Sequence, residues 1–281
     1  MDFSISTLFS NPFLLMALGA GLAASISGGI IGTYVVTKRI VFMSGSISHA
    51  VLGGMGLFLW LRRTYSLHFL SPFQGALFFA LLAAVLLGWI HLKYKEREDS
   101  IIAALWATGT SIGVIFITFT PGYNVELMNF LFGNILWATQ GDVTSLLILD
   151  ALVISSTLFF YRKFQAICFD EQQAALQRLP VKRLYIFLLC LIALSVVVLI
   201  QVVGAILVIS LLTMPAAAAS NFTHRLSTLM KLSVSASILF TCLGIYASYE
   251  LNWPPGATIT LIAAVFYSLA LAYSRFLRLR N

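Results

Sequence analysis

His49 lies in the run Met43-Ser44-Gly45-Ser46-Ile47-Ser48-His49-Ala50-Val51-Leu52-Gly53-Gly54-Met55-Gly56, an ionisable ligand set among small residues inside an apolar stretch. On a helix, Gly45, His49, Gly53 and Gly56 share one face, which carries almost no side chain except the imidazole. A neighbouring helix or a water-filled path can therefore come close to it. Neutral imidazole suits zinc, iron and manganese in some measure, and an ionisable group at membrane depth is costly enough to mark a functional site. The same histidine could also do no more than hydrogen-bond to another helix. Asp150 is the second ionisable residue away from the ends of an apolar run. It reads either as a proton or cation site, or as a carboxyl bonded to a neighbouring helix or near the outer water boundary. His68 and His91 fall near run ends and read as interfacial, and His224 sits among basic residues and reads as structural.

Covalent chemistry and nucleotide hydrolysis have no visible machinery here. The sequence has no Walker loop, nucleophile elbow, Gly-rich dinucleotide turn or His-Glu-x-x-His. Cys168, Cys190 and Cys242 are far apart and odd in number, which argues against a disulfide framework or a thiolate metal site. A chain of 281 residues that is 60% hydrophobic and 10% charged, with repeated apolar runs, is a polytopic all-α membrane protein with a single helical domain over residues 1–281. Its net charge of +7 then reports membrane topology rather than nucleic-acid binding. The start of the sequence, Met1-Asp2-Phe3-Ser4, has no basic region, and a cleaved signal peptide is not expected.

Nine candidate spans follow along the chain: Phe13 to Val36, Met43 to Leu61, Pro72 to Leu92, Ser100 to Phe119, Val143 to Tyr161, Arg183 to Gln201, Gly204 to Ser220, Leu229 to Tyr249 and Pro255 to Tyr273. Gly21, Ser25, Gly28 and Gly32 form a small-residue packing face on the first. With the C-terminus in the cytoplasm, Arg62 and Arg63 are the only two of the 17 basic residues left outside, a strong positive-inside result. If one span is not real the number is eight, and the second is the suspect because its outer end carries those two arginines. Leu127 to Trp137 is too short to span and too apolar for a free loop, and so reads as an interfacial or re-entrant helix. Pro215 leaves the Leu211 carbonyl without its helical donor in the seventh span. Arg162 to Lys182 is the longest basic, polar connection. Within it, Phe169-Asp170-Glu171-Gln172-Gln173-Ala174-Ala175-Leu176-Gln177-Arg178-Leu179-Pro180 reads as an amphipathic helix started by Asp170 and stopped before Pro180. It is either a plain loop or a docking helix for a soluble partner.

Several of these stretches together resemble the permease subunits of zinc, manganese and iron ABC importers. The resemblance is carried by Met43 through Gly54, by Leu131-Phe132-Gly133-Asn134-Ile135-Leu136, by Phe169 through Pro180, by Val203 through Ala219, and by Pro255-Gly256-Ala257-Thr258. It implies a type II ABC importer-like bundle in the bacterial inner membrane that holds no permanent cofactor and carries a divalent metal ion as cargo. ATP hydrolysis would belong to separate cytoplasmic subunits docking on residues 164–180, with Phe169, Asp170, Glu171, Ala174, Ala175 and Leu179 in the coupling helix. An extracytoplasmic metal-binding protein and a second permease, identical or related, complete the implied assembly, with membrane lipids around it and no nucleic acid. The path would use His49, Asp150 and Asn134, and Gly45, Gly53, Gly204 and Pro215 would serve helix packing and gating. Three positions depart from the family pattern: Gly45 stands where an Asp is usual, Gly53 where a Pro is usual, and Arg178 where a Gly is frequent. The rival readings are a secondary cation transporter using His49 and Asp150, and an intramembrane hydrolase built on His49 and nearby serines.

Overall fold

A computed structural model describes residues 12–93, 98–122, 126–133 and 135–280. The helices are α1 Pro12–Thr37, α2 Val41–Thr64, α3 Pro72–Lys93, α4 Glu98–Phe119, α5 Glu126–Phe132, α6 Gln140–Phe169, α7 Glu171–Leu176, α8 Val181–Val203, α9 Ala205–Ser220, α10 Leu226–Leu251 and α11 Pro255–Arg280, with a 3-10 turn at Ile135–Trp137. Eight of them are long and apolar enough to cross a membrane, and α9 is apolar but shorter. The doubtful element is therefore not the second span: α2 has 24 residues, whereas α9 has 16. Its rise of roughly 24 Å falls short of a hydrocarbon core of about 30 Å.

Two other boundaries differ from the sequence reading. Arg162 and Lys163 do not open a loop, because α6 runs on to Phe169. No proline, glycine or capping residue interrupts Leu158 to Phe169, and Phe164 and Ile167 are fully buried along the extension. The interfacial stretch is two pieces rather than one helix, broken where Gly133 takes a φ of 65°.

The chain divides into two compact units, one of residues 1–39, 132–159 and 202–281, the other of 40–131 and 160–201. In the first, α1 lays its small face on α9 and α10. Gly28 and Gly32 meet the backbone of Leu211 and Leu212, the turn loosened by Pro215, and Gly29 meets the backbone of Val234. At such close approach two polar pairs are shared across the helices: Ser25 Oγ with Thr241 Oγ1 at 2.9 Å, and Thr33 Oγ1 donating to Ser233 Oγ at 3.2 Å. Gly204 (φ 81°) turns the chain in one residue from α8 into α9 and lies against the backbone of Gly133. A side chain at either position would fit neither that φ nor the space.

In the second unit, α2 is the central element, and 67% of its most apolar window is buried. Gly53 and Gly56 abut Gly109 and Gly113 of α4, and Gly54 abuts Gly75 of α3. The small face around His49 is thus covered by a helix.

Candidate functional site

His49 is two turns into α2, about 12 Å along the axis from Val41, and is half-buried. Its Nδ1 lies 2.8 Å from Thr110 Oγ1, one of the polar groups α4 turns toward α2. Thr110 Oγ1 also donates to the Trp106 carbonyl, one turn back in α4, at 2.9 Å. The Trp106 indole stacks on the imidazole with centroids 4.5 Å apart and planes 24° apart. This ring can lie so close because position 45 has no side chain: a methyl there would stand 3.0 Å from Trp106 Cζ3. Ser46 Oγ donates to the Ile102 carbonyl at 3.2 Å, fixing the neighbouring turn of α2 to α4. One neutral nitrogen donor held between a hydroxyl and an aromatic plane can touch a cation weakly, and among the described residues no three His, Cys, Asp or Glu side chains gather into a metal-holding group.

Thr110 and Trp106 were not singled out from the sequence. Their signal is present: Trp106, Gly109, Thr110 and Gly113 recur at helical spacing in the fourth span and make one face complementary to Gly45, His49, Gly53 and Gly56. Beyond the stack, a cavity of about 490 Å³ is lined by Phe42, Asp99, Ile102, Ala103, Trp106 and Ala107. Asp99 is the only acid on its wall among the described residues. A second cavity of about 320 Å³, bordered by Val51, Met55, Ser71, Asn129 and Gln201, has no ionisable lining among the described residues.

Asp150 belongs to the other unit. It is buried in α6 with 4% exposure. Ser27 of α1 is the polar residue that approaches it, and no well-formed hydrogen bond reaches either carboxylate oxygen among the described residues. Asn134, the third proposed path residue, lies outside the described residues.

Also in the second unit, α7 is built as its sequence predicts. Asp170 Oδ1 accepts from the backbone N–H of Gln172 at 2.8 Å and of Gln173 at 3.0 Å. Ala174 is buried, while Phe169, Ala175 and Leu176 are exposed. The helix stops at Leu176, and Arg178 takes a φ of 58°, a conformation that glycine adopts most readily. Glu171 Oε1 lies 3.5 Å from His91 Nε2, whose ring stacks on Tyr185 at 4.6 Å. Tyr185 Oη in turn donates to Met43 Sδ, at the start of α2, at 3.4 Å. His91, near the end of α3, is thus a packed contact for α7, whereas His68 and His224 are exposed.

Eight helices of membrane-crossing length among the described residues define a multi-pass membrane protein. The chain belongs to the ABC 3 transport family, the metal-type ABC transporter permeases, whose model matches residues 10–274. It is 45% identical over 276 residues to a probable metal transport system membrane protein of Chlamydia pneumoniae, covering 96% of this chain and 94% of that one. It is 31% identical to the manganese transport system membrane protein MntC of Listeria monocytogenes, covering 95% and 92% of the two chains. The solved structure of PsaBC from Streptococcus pneumoniae, in complex with Fab, superposes with a TM-score of 0.85 at 29% identity, covering 99% and 98% of the two chains.

Proposed function

We propose that this chain forms the translocation path of an ATP-driven divalent metal importer, with His49 as a transient contact for the cation. The observation that carries the proposal is similarity along nearly the whole chain to relatives named for metal and manganese transport. Manganese is accordingly the first cargo to test, with zinc and iron as alternatives. Two permeases, identical or related, would face each other across the path. Two cytoplasmic ATP-binding subunits would dock on α7, and an extracytoplasmic binding protein would deliver the ion. ATP binding and hydrolysis in the partners would move α7, and the bundle would alternate between outward- and inward-open states. A weak single-imidazole contact suits such a cycle, since a tight site would hold the ion back. The secondary-carrier reading, which needs Asp150 and His49 to act together, is not favoured by the family match.

The test is uptake of radioactive Mn²⁺, Zn²⁺ and Fe²⁺ into proteoliposomes carrying this chain, with and without the ATPase and binding protein. Uptake of one metal that requires ATP and both partners is expected; uptake by the chain alone, driven by an ion gradient, would overturn the proposal. His49→Ala is expected to reduce uptake at limiting metal, and unchanged uptake at equal expression would remove His49 from the path.

A further inference from the structure

The two short hydrogen bonds at Thr110 are both formed with only one tautomer of the neutral histidine they touch. A threonine hydroxyl has one proton to give and two lone pairs with which to accept. The Trp106 carbonyl, 2.9 Å away, can only accept. With the hydroxyl proton given to that carbonyl, the 2.8 Å bond to His49 is complete when Nδ1 carries a hydrogen and donates it to Thr110 Oγ1. The neutral imidazole is then protonated at Nδ1, and its one lone pair in the ring plane is at Nε2. The stacked indole fixes that plane from the side, and it reaches the ring because Gly45 leaves the space open.

We infer that Thr110 is a positioning residue for transport: through its hydrogen bonds to the Trp106 carbonyl and His49 Nδ1, it holds His49 with Nε2 directed as the metal-binding atom. Trp106 holds the ring orientation. The inference rests on the reading of His49 as a cation contact. A partner on the second ring nitrogen fixes both tautomer and aim of a metal-binding histidine, and losing one commonly costs 10- to 100-fold in metal affinity.

Two measurements on the full-length chain separate this inference from the reading beneath it. The first is nitrogen NMR of protein labelled at histidine, in lipid nanodiscs at about pH 8, where an ordinary histidine is neutral. The chain has four histidines, and His49→Gln identifies the His49 signals. Wild type is expected to show a protonated Nδ1 and an unprotonated Nε2. Thr110→Val, close in shape but unable to accept, should lose that preference, and Thr110→Ser should keep it. The second is Mn²⁺ uptake in the assembled transporter. Thr110→Val is expected to raise KM about tenfold with little change in maximal rate, at the low end of the range for such partners, and Thr110→Ser should restore it. A wild-type His49 protonated at Nε2 overturns the inference, as does a Thr110→Val variant with unchanged KM where His49→Ala impairs uptake. Uptake untouched by His49→Ala instead removes the transport role, while the NMR result still decides the tautomer. Should Thr110→Val fail to fold, the wild-type and Thr110→Ser spectra still decide the tautomer.

Discussion

Gly45, Gly53 and Gly56 share the His49 face of α2, yet the same added methyl would meet different neighbours at each. At Gly45 it would press on the edge of the Trp106 ring at 3.0 Å, a side chain that can give by a few tenths of an ångström. At Gly53 and Gly56 it would meet the carbonyl oxygens of Gly109 and Gly113 at 2.9 and 2.6 Å, which cannot move without moving α4. Gly53→Ala and Gly56→Ala are therefore expected to destabilise the protein by roughly 1–3 kcal/mol, the usual range for overpacking. Gly45→Ala should cost less than either, while disturbing the ring that lies on His49. Thermal unfolding in detergent gives the stability order, and an equal loss at all three positions would count against a backbone-limited seam. At this scale the sequence made the glycine face of α2 legible, because spacing alone puts the residues on one side. It did not make the partner legible: Thr110 and Trp106 sit 61 and 57 residues beyond His49 in the numbering (110 − 49 and 106 − 49), and their pairing depends on which helix packs where.

Element boundaries were legible where a side chain enforces them. Asp170 announces α7 because its carboxylate can satisfy the first free N–H groups of a helix, and it accepts from Gln172 and Gln173 as that chemistry requires. The end of α6 was less legible. Arg162 and Lys163 look like a loop by charge, but charged residues extend a helix readily once its inner face is held by buried groups such as Phe164 and Ile167. Replacing the cap tests how far the six-residue α7 depends on it. Asp170→Ala should weaken the helix start by about 1 kcal/mol, and the backbone amides of Gln172 and Gln173 should exchange hydrogen roughly five times faster through local opening. Exchange should stay unchanged in α8. Since α7 is the proposed docking helix, transport should fall with the same substitution, and Asp170→Asn, which can still cap, should retain most of it.

The division into two compact units was not visible in the sequence, because each unit is assembled from separated stretches of chain and no linker marks the border. Sidedness was visible, through the basic residues, and it also bears on the one element whose length leaves the number of spans open. Between His68 and Gln177 lie three helices of membrane-crossing length, α3, α4 and α6, so these positions fall on opposite sides whatever α9 does. Between Gln177 and His224 lie α8 and α9. If the 16-residue α9 crosses, His224 returns to the side of Gln177, and Arg225, Lys231, Arg275, Arg278 and Arg280 all lie in the cytoplasm. If it does not cross, those five fall outside, against the positive-inside rule. Crossing is the expected outcome, since local thinning of the bilayer around a short helix costs only a fraction of a kcal/mol per ångström. The check starts from a variant with Cys168, Cys190 and Cys242 replaced by alanine, into which single cysteines are placed at the exposed positions His68, Gln177 and His224. A membrane-impermeant maleimide added to intact cells should label His68→Cys alone, and permeabilisation should expose the other two. Labelling of His224→Cys together with His68→Cys would mean that α9 does not cross and that eight helices span. Labelling of Gln177→Cys in intact cells would invert the whole molecule and remove α7 from the reach of any cytoplasmic ATPase.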